Sequence, residues 1–432
     1  MAITRFKNSS IANRGPKYDD FLGGLPYRPT IGTATDGGNG TSVSVAFTGN
    51  NVANGTITYT ALSSPGSLSA TGTSSPITVT GLTSGTAYTF QVKAGNSLGD
   101  SAYSAASNSV TPVTPAYIAV GHQTSPYVTA YPWSPGFGTK YADPASLPGS
   151  TVNGVTFKPQ GDVIVIAERN SPRIGAYPWS AGFGTKYANP ATLPAGYGYG
   201  VSFTPSGDTI AVASGSTPYI QAYPWSAGFG TKYADPSTLP TGPGYGVSFM
   251  ANAIAVAHAN SPRVTAYPWS SGFGTKYANP GVLPVGNGRG TSFAPSGNDI
   301  AVSSVSSPRI QVYPWSSGFG SKYANPATLP AGASRVSDFT STSDTIAVSS
   351  DSSPYVLVYP WSAGFGTKYA DPGTLQGGGS YGVAFSAANT AIASVENNSP
   401  YVHAWAWSAG FGSKYANPAT TPTGQGKSVA FI

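Results

Sequence analysis

From Ala116 to the end of the chain, apolar and polar positions recur in the same order seven times. Each copy carries an apolar run of GVxF type, an alternating TIAVA-type run, a Ser-Pro turn leading into a YVTAYPWS-type run, and a GFGTKYANPATLP-type segment. The tryptophans of the third run are Trp133, Trp179, Trp225, Trp269, Trp315, Trp361 and Trp407, spaced by 46, 46, 44, 46, 46 and 46 residues. A fixed period of that size marks one supersecondary unit stacked on its neighbours. Strands of about 5 or 6 residues joined by connections of about 4 to 6 fill such a period four at a time, which predicts a β-propeller blade.

The order of the runs adds a second expectation. First strands begin at Gly154, Gly200, Gly246, Gly290, Val336, Gly382 and Ser428, and second strands near Tyr117, Asp162, Thr209, Ala253, Asp299, Thr345 and Ala391. The region therefore opens on a second strand and stops on a first strand. This predicts seven blades in which the C-terminal strand completes the first blade and covers edges that an open sheet would leave bare.

Upstream the pattern changes. Residues 25–115 hold short alternating runs at Ser42–Phe47, Thr56–Leu62, Pro76–Leu82 and Ala87–Ala94, separated by Gly, Asn, Ser and Pro, which predicts a β-sandwich. Residues 1–24 are polar and lack either period. With Arg5, Lys7, Arg14 and Lys17 among them, they are expected to be a frayed terminus or an anchoring arm that orders against a partner. The fold class expected is all-β: arm, sandwich, propeller.

Composition supports this and narrows the chemistry. Gly (55) and Pro (38) are abundant but periodic, so they punctuate turns rather than signal disorder. The formal charge is +6, yet the 21 basic residues never form a run, and nucleic acid is not an expected partner. Cysteine is absent, which removes disulfides and thiolate metal sites. No stretch approaches the roughly 18 apolar residues of a membrane span or the pattern of a secretory leader, so neither membrane insertion nor export by the usual route is expected.

Residues constant in all copies are most economically structural. The seven tryptophans are assigned to packing between blades, Gly-Phe-Gly to a tight connection, and Asn-Pro or Asp-Pro to a turn. Lys140, Lys186, Lys232, Lys276, Lys322, Lys368 and Lys414 form a ring by symmetry, either a solvated rim or an anion-binding or capsid-docking ring. Positions that vary are better candidates for function. The residue after each Ser-Pro or Thr-Pro turn is Tyr127, Arg173, Tyr219, Arg263, Arg309, Tyr355 or Tyr401. The residue entering each first strand is Asn153, Tyr199, Tyr245, Arg289, Arg335, Tyr381 or Lys427. Both sets are expected on one face, where tyrosine, arginine and asparagine suit sugars, anionic polymers or a protein partner.

Catalysis has little support in the sequence. Acidic residues such as Asp162, Asp208, Asp299 and Asp344 are single copies in turns, with no obvious acid and base pair. His122, His258 and His403 fall in different blades without ligand spacing, so no metal is expected. The GxG strings at Gly196–Gly200 and Gly286–Gly290 precede no helix that could hold a phosphate. No cofactor is expected, and the expectation is a protein that is not an enzyme.

Two resemblances extend these readings. The run SSPITVTGLTSGTAYTFQVKAGNSLGDSAYSAASNSVTP, from Ser74 to Pro112, resembles the second half of a bacterial or viral fibronectin type III module. That resemblance implies a corner made by Leu82 and Tyr88, with the tyrosine hydroxyl returning to backbone upstream, and a loop at Asn96 and Gly99. Phe47 stands where many members place a core tryptophan. The repeat FTPSGDTIAVASGSTPYIQAYPWSAGFGTKYADPSTLP, from Phe203 to Pro240, resembles degenerate WD-repeat propellers of tailed-phage virion proteins, and the arm KYDDFLGG resembles marine and cyanophage accessory proteins. These imply a virion protein made in the host cytoplasm and exposed on the particle. Its arm would dock on capsid or tail proteins, and its propeller would face a host-surface glycan or protein. Variants of this expectation are a decoration or tail protein that only cements neighbours, and a polysaccharide lyase or hydrolase.

Overall fold

The computed structural model describes residues 25–49 and 56–432. The arm residues Arg5, Lys7, Arg14 and Lys17 lie outside the described residues. Two compact units meet in sequence at Pro115 and Ala116. Among the described residues all regular structure is β, without a helix.

The N-terminal unit is a sandwich of two antiparallel sheets. One holds Thr30–Asp36, Ser42–Thr48 and Ile77–Thr80; the other holds Ser69–Gly72, Thr58–Ser64, Thr89–Asn96 and Gly99–Asp100. Alternation explains the core: Val43, Val45, Ala61, Val79, Phe90 and Val92 are wholly buried, with Val43 and Val45, and Phe90 and Val92, two residues apart on their strands. Phe47 packs on Tyr59 with ring centroids 4.6 Å apart. The Tyr88 hydroxyl accepts the backbone N–H of Thr83 at 3.1 Å, and Leu82 is buried beside it. The strands at Thr30–Asp36 and Ser69–Gly72 escaped the sequence reading because Gly and Thr blur their alternation.

The C-terminal unit contains seven small antiparallel sheets. Six follow chain order, each built on a run of three strands: Val152–Phe157 with Val163–Glu168 and Ile174–Pro178, and its counterparts down to Ser380–Phe385 with Ala391–Glu396 and Val402–Trp407. The seventh joins the C-terminal strand Gly426–Phe431 to Ala116–His122, which in turn pairs with Val128–Trp133. The middle strand of each sheet is covered on both faces, so TIAVA-type runs are buried at nearly every position.

The expected fourth strand is reduced. In six sheets it is a single bridge between the tryptophan and the phenylalanine of Gly-Phe-Gly, as in Trp179 and Phe183, and only Phe411–Lys414 forms a strand. The cause is local. The first glycine of each Gly-Phe-Gly holds a positive φ, from +119° to +152°, in all seven copies alike, so the difference lies one run earlier. The proline of the YPW run removes a ladder donor in six copies, and the copy that forms the strand has Ala406 in its place.

Each tryptophan is buried, 4–8% exposed, and packs edge-on against the phenylalanine of its own Gly-Phe-Gly and the Lys-Tyr tyrosine one repeat earlier. Tyr187 on Trp225 and Tyr233 on Trp269 show the pattern, and Tyr415 on Trp133 repeats it between the last and first copies. Such edge-to-face pairs add about 0.5–1.5 kcal/mol each beyond their buried area.

Candidate functional site

Gly154, Gly200, Gly246 and Gly290 bring the first strands into close mutual approach. A Cβ at Gly154 would stand 2.7 Å from the Tyr199 carbonyl, one at Gly200 2.8 Å from the Tyr245 carbonyl, and one at Gly246 2.7 Å from the Gly290 Cα. Glycine is required there by the neighbouring backbone. Val336 occupies the same place in the sixth copy, and there the strand shortens to Ser337–Phe339. The Ser349 hydroxyl takes over as acceptor for the N–H groups of Arg335 and Val336.

One residue before each of these positions the register of the first strand slips. The irregularity lies between Val152 and Gly154, Gly244 and Gly246, Gly288 and Gly290, Ser380 and Gly382, and Gly426 and Ser428. The residue left out of the ladder is Asn153, Tyr245, Arg289, Tyr381 or Lys427. Tyr199 lies in the wider slip between Gly198 and Val201. A bulge re-aims a side chain, and these are the side chains that, with Arg335, rim one cavity. All seven sheets contribute one rim residue.

A second cavity, of about 470 Å³, shares Asn153, Tyr199, Tyr245, Arg289 and Lys427 with the rim and is also lined by Thr156, Thr291, Ser337, Asp338 and Ser428. Rim chemistry is uneven. Tyr199 and Tyr245 pack edge-on with centroids 5.0 Å apart. Arg289 lies over the Tyr245 ring at 4.2 Å, Arg335 over Tyr381 at 4.4 Å, and Lys427 over the same Tyr381 ring at 4.8 Å. Arg169, over Tyr197 at 5.0 Å, adds a fourth cation close enough to influence Lys427. No carboxylate lines the rim. The Nε groups of Arg289 and Arg335 are buried without a partner. Burial first, then the positive fields of Arg335 and Arg169, push the Lys427 amine down to about 8.

Asp338 is the one acidic residue lining the cavity. Its Oδ2 accepts the Phe385 N–H at 2.8 Å. Burial pushes its carboxyl up to about 6, against the opposing pull of the Phe385 and Phe339 N–H groups. Asp338 follows Arg335 by three residues, so their Cα atoms are at most about 10 Å apart along the chain.

The second set of expected site residues is placed differently. Tyr127, Arg173, Tyr219, Arg263, Arg309, Tyr355 and Tyr401 are largely half-buried, hold φ between +67° and +74°, and follow cis Ser-Pro or Thr-Pro bonds. None lines the cavity. Their carbonyls close the hairpin, as Arg173 does for the Glu168 N–H at 3.0 Å. Arg173 and Arg309 donate to the carbonyls of Pro194 (3.1 Å) and Pro330 (2.8 Å), bracing the next connection. The lysines after Gly-Phe-Gly are likewise engaged locally: Lys322 donates to Asn325 at 2.7 Å, and Lys140, Lys232, Lys276, Lys368 and Lys414 pair with the Asp or Asn three residues on. An anion-binding or docking ring of lysines has no support in this geometry.

Asp338, Arg169, Thr156 and Thr291 were missed by sequence reasoning. The available signal was the VSDF copy, where Asp338 interrupts a column of Thr, Ser and Ala and Val336 interrupts a column of small residues. The histidines are internal. His122 and His258 are wholly buried, which pushes both down to about 4. His403 hydrogen-bonds the buried Glu396. No group of His, Cys, Asp and Glu that could hold a metal occurs among the described residues.

No protein-family model matches the sequence, and no curated protein matches it. Solved structures do. A putative 6-phosphogluconolactonase from Bacteroides fragilis NCTC 9343 is similar at 11% identity and TM-score 0.57, over 74% of this chain and 98% of that one. The periplasmic gluconolactonase PpgL of Pseudomonas aeruginosa is similar at 14% identity and TM-score 0.56, over 73% and 99%. A Lactobacillus plantarum protein is similar at 16% identity and TM-score 0.56, over 74% and 100%. Lactonases stand among these structures, which corrects the expectation that the protein is not an enzyme: an architecture like this one carries hydrolases. At such identities the likeness shows the fold, and the C-terminal unit is a β-propeller.

Proposed function

We propose that the propeller is seven-bladed, sealed by its C-terminal strand, and that its axial cavity binds and hydrolyses a small anionic carbohydrate derivative. The observation that carries this reading is the rim: Arg289, Arg335 and Lys427 face one opening with no acidic residue among them. Cations gathered in a partly dry site favour an anionic group, and the Tyr199 and Tyr245 pair offers a face for a sugar ring. A ligand held by its acidic group at Arg335 on the rim would extend toward Asp338 in the adjoining cavity, which shares Lys427 and Arg289 with the rim. One Asp338 oxygen is tied to the Phe385 N–H; the other is the base that takes a proton from water as that water attacks the acyl or glycosidic carbon. A carboxyl raised to about 6 is ionised at neutral pH and still basic enough for this. The lactonases among similar structures favour the same reaction class.

The test is calorimetric titration with gluconate and 6-phosphogluconate, alongside a pH-stat assay on sugar lactones and anionic oligosaccharides. Asp338→Asn should keep binding and lose turnover. An absence of both binding and turnover in the unaltered protein removes the proposal.

The setting of this site is a separate proposal, supported by the sequence resemblances: a virion accessory protein with residues 1–24 as its tether to capsid or tail proteins. The sandwich would serve as a fibronectin type III spacer. Its three-plus-four strand arrangement and the Tyr88 to Thr83 bond support that reading. Many copies on one particle would make weak ligand contacts effective. Loss of particle incorporation on deleting residues 1–24, with the propeller still folded, is the expected result; retained incorporation discards the tether.

A further inference from the structure

Lys427 differs from every lysine after Gly-Phe-Gly. It lines both the rim and the adjoining cavity and sits on the Tyr381 ring, over which Arg335, two places away around the rim, also lies. The side-chain partner of its amine is the neutral amide oxygen of Gln425, where an ordinary surface lysine such as Lys158 faces a carboxylate, Asp162. The charged groups whose fields act on it are themselves cations: Arg335, over the same Tyr381 ring, and Arg169, which lies over Tyr197. An amine confined among cations and an aromatic face, with no carboxylate to hold its proton, is the arrangement that makes a lysine nucleophilic.

The geometry points to Lys427 as a covalent site, at which the side-chain amine condenses with the carbonyl of a small anionic aldehyde or 2-oxo acid whose carboxylate is held by Arg335 and Arg169. The inference rests on the rim being an anion site, as proposed above, and adds a second chemistry to it. The ammonium first releases its proton to water. The neutral Nζ then attacks the carbonyl carbon, forming a C–N bond while the carbonyl π pair moves to oxygen. The attacking nitrogen passes a proton to that oxygen, giving a neutral carbinolamine; a second proton, taken from solvent, lets the hydroxyl leave as water while the nitrogen lone pair forms the C=N bond, leaving a protonated imine. No oxidant or reductant is consumed. The amine's depression to about 8 leaves a far larger neutral fraction near neutral pH than an exposed lysine has.

The experiment is reductive trapping. Full-length protein is treated with glyoxylate and cyanoborohydride near neutral pH, with acetaldehyde as the uncharged comparison, and labelled lysines are located by peptide mass spectrometry. Glyoxylate should label Lys427 at least about tenfold faster than Lys158 or Lys232, the gain of neutral fraction outweighing the lower basicity. Arg335→Gln and, independently, Arg169→Gln should each lower the glyoxylate to acetaldehyde labelling ratio at Lys427 by several-fold, with thermal melts reporting the fold. Equal labelling of all lysines overturns the assignment. So does a ratio unchanged in whichever of the two variants folds. Inorganic phosphate titration separates the two proposals: phosphate binding without preferential labelling overturns the covalent site and leaves the anion site standing. Preferential labelling by glyoxylate without phosphate binding supports the covalent site and counts against the carbohydrate reading.

Discussion

The Tyr131 hydroxyl donates to the Thr420 carbonyl at 2.8 Å across 289 residues of chain. The same bond joins Tyr177 to Ser146 and Tyr223 to Thr192 across 31 residues, and Trp405 reproduces it through Nε1 to Thr374. Each ties a buried ring of the YPWS run to the connection leaving the preceding copy. The first copy has no preceding neighbour in sequence and takes the last one instead. Each tyrosine is wholly buried, so its hydroxyl has no alternative partner in water. Tyr131→Phe should therefore cost about 1–2 kcal/mol, as should Tyr223→Phe, because each leaves a carbonyl without its donor. Urea unfolding measured side by side checks this, and a neutral Tyr131→Phe would deny the junction the role that the internal bonds have.

The C-terminal strand supplies the stronger test of the junction. Gly426–Phe431 pairs with Ala116–His122, Ile432 exchanges both backbone bonds with Tyr117, and Phe431 packs on Trp133 at 5.1 Å. Removing residues 426–432 uncovers a strand edge and the Ile118, Val120 and Trp133 cluster. The expected cost is at least about 5 kcal/mol, the lower end of a whole domain's stability. Size-exclusion chromatography should show self-association where the full chain is monodisperse. A truncated chain that melts like the intact one would sink the sealed-ring proposal.

Close approach of the first strands makes a graded prediction. At Gly200 and Gly246 the obstacle to a Cβ is neighbouring backbone, whereas at Gly382 it is the Val395 side chain at 3.2 Å, with backbone no nearer than 3.4 Å. Backbone cannot step aside as a rotamer can. Gly200→Ala and Gly246→Ala should destabilise by about 1–3 kcal/mol, the usual cost of overpacking, and Gly382→Ala by less. Equal thermal melts for all three would contradict the argument.

How much of this was legible in the residues divides by mechanism. Strand starts such as Thr209, Asp299 and Ala391 follow from alternation and turn chemistry, which are local, and the structure begins strands at those residues. The rim residues Tyr199, Arg289 and Lys427 stood out because they vary where everything else repeats. Their convergence depends on a bulge that no propensity encodes. Tyr127 and Arg173 varied in the same way but are fixed by a positive φ turn and, at Arg173, a carbonyl brace. Variation alone could not separate residues that line the cavity from those that brace a turn. Asp338 was hidden because its chemistry comes from enclosure, a property of seven sheets together, and a lone aspartate among turn aspartates carries no sign of it.

Opposed titrations at the cavity give the last prediction. Asp338 is raised in the folded protein to about 6 from an ordinary 3.8, so the folded state binds more protons than the unfolded one between those values. Stability should fall as pH rises through that window. Lys427 is lowered to about 8 from 10.5, so between those values the unfolded state holds the extra proton and stability should rise with pH. Both groups thus work against folding near neutrality, as residues retained for binding or chemistry often do. Asp338→Asn and Lys427→Met should each stabilise at neutral pH by on the order of 1–3 kcal/mol, since a tenfold change in proton affinity between the folded and unfolded states is worth about 1.4 kcal/mol and cavity water screens part of it. The gain from Asp338→Asn should vanish below about pH 4 and that from Lys427→Met above about pH 10, where the protonation states of folded and unfolded protein coincide. Denaturant titrations across that range check both signs. A Lys427→Met variant less stable than the parent at neutral pH would mean that the amine's contacts with Tyr381 and Gln425 outweigh the cost of its burial, and would remove the argument that Lys427 is held at the expense of folding.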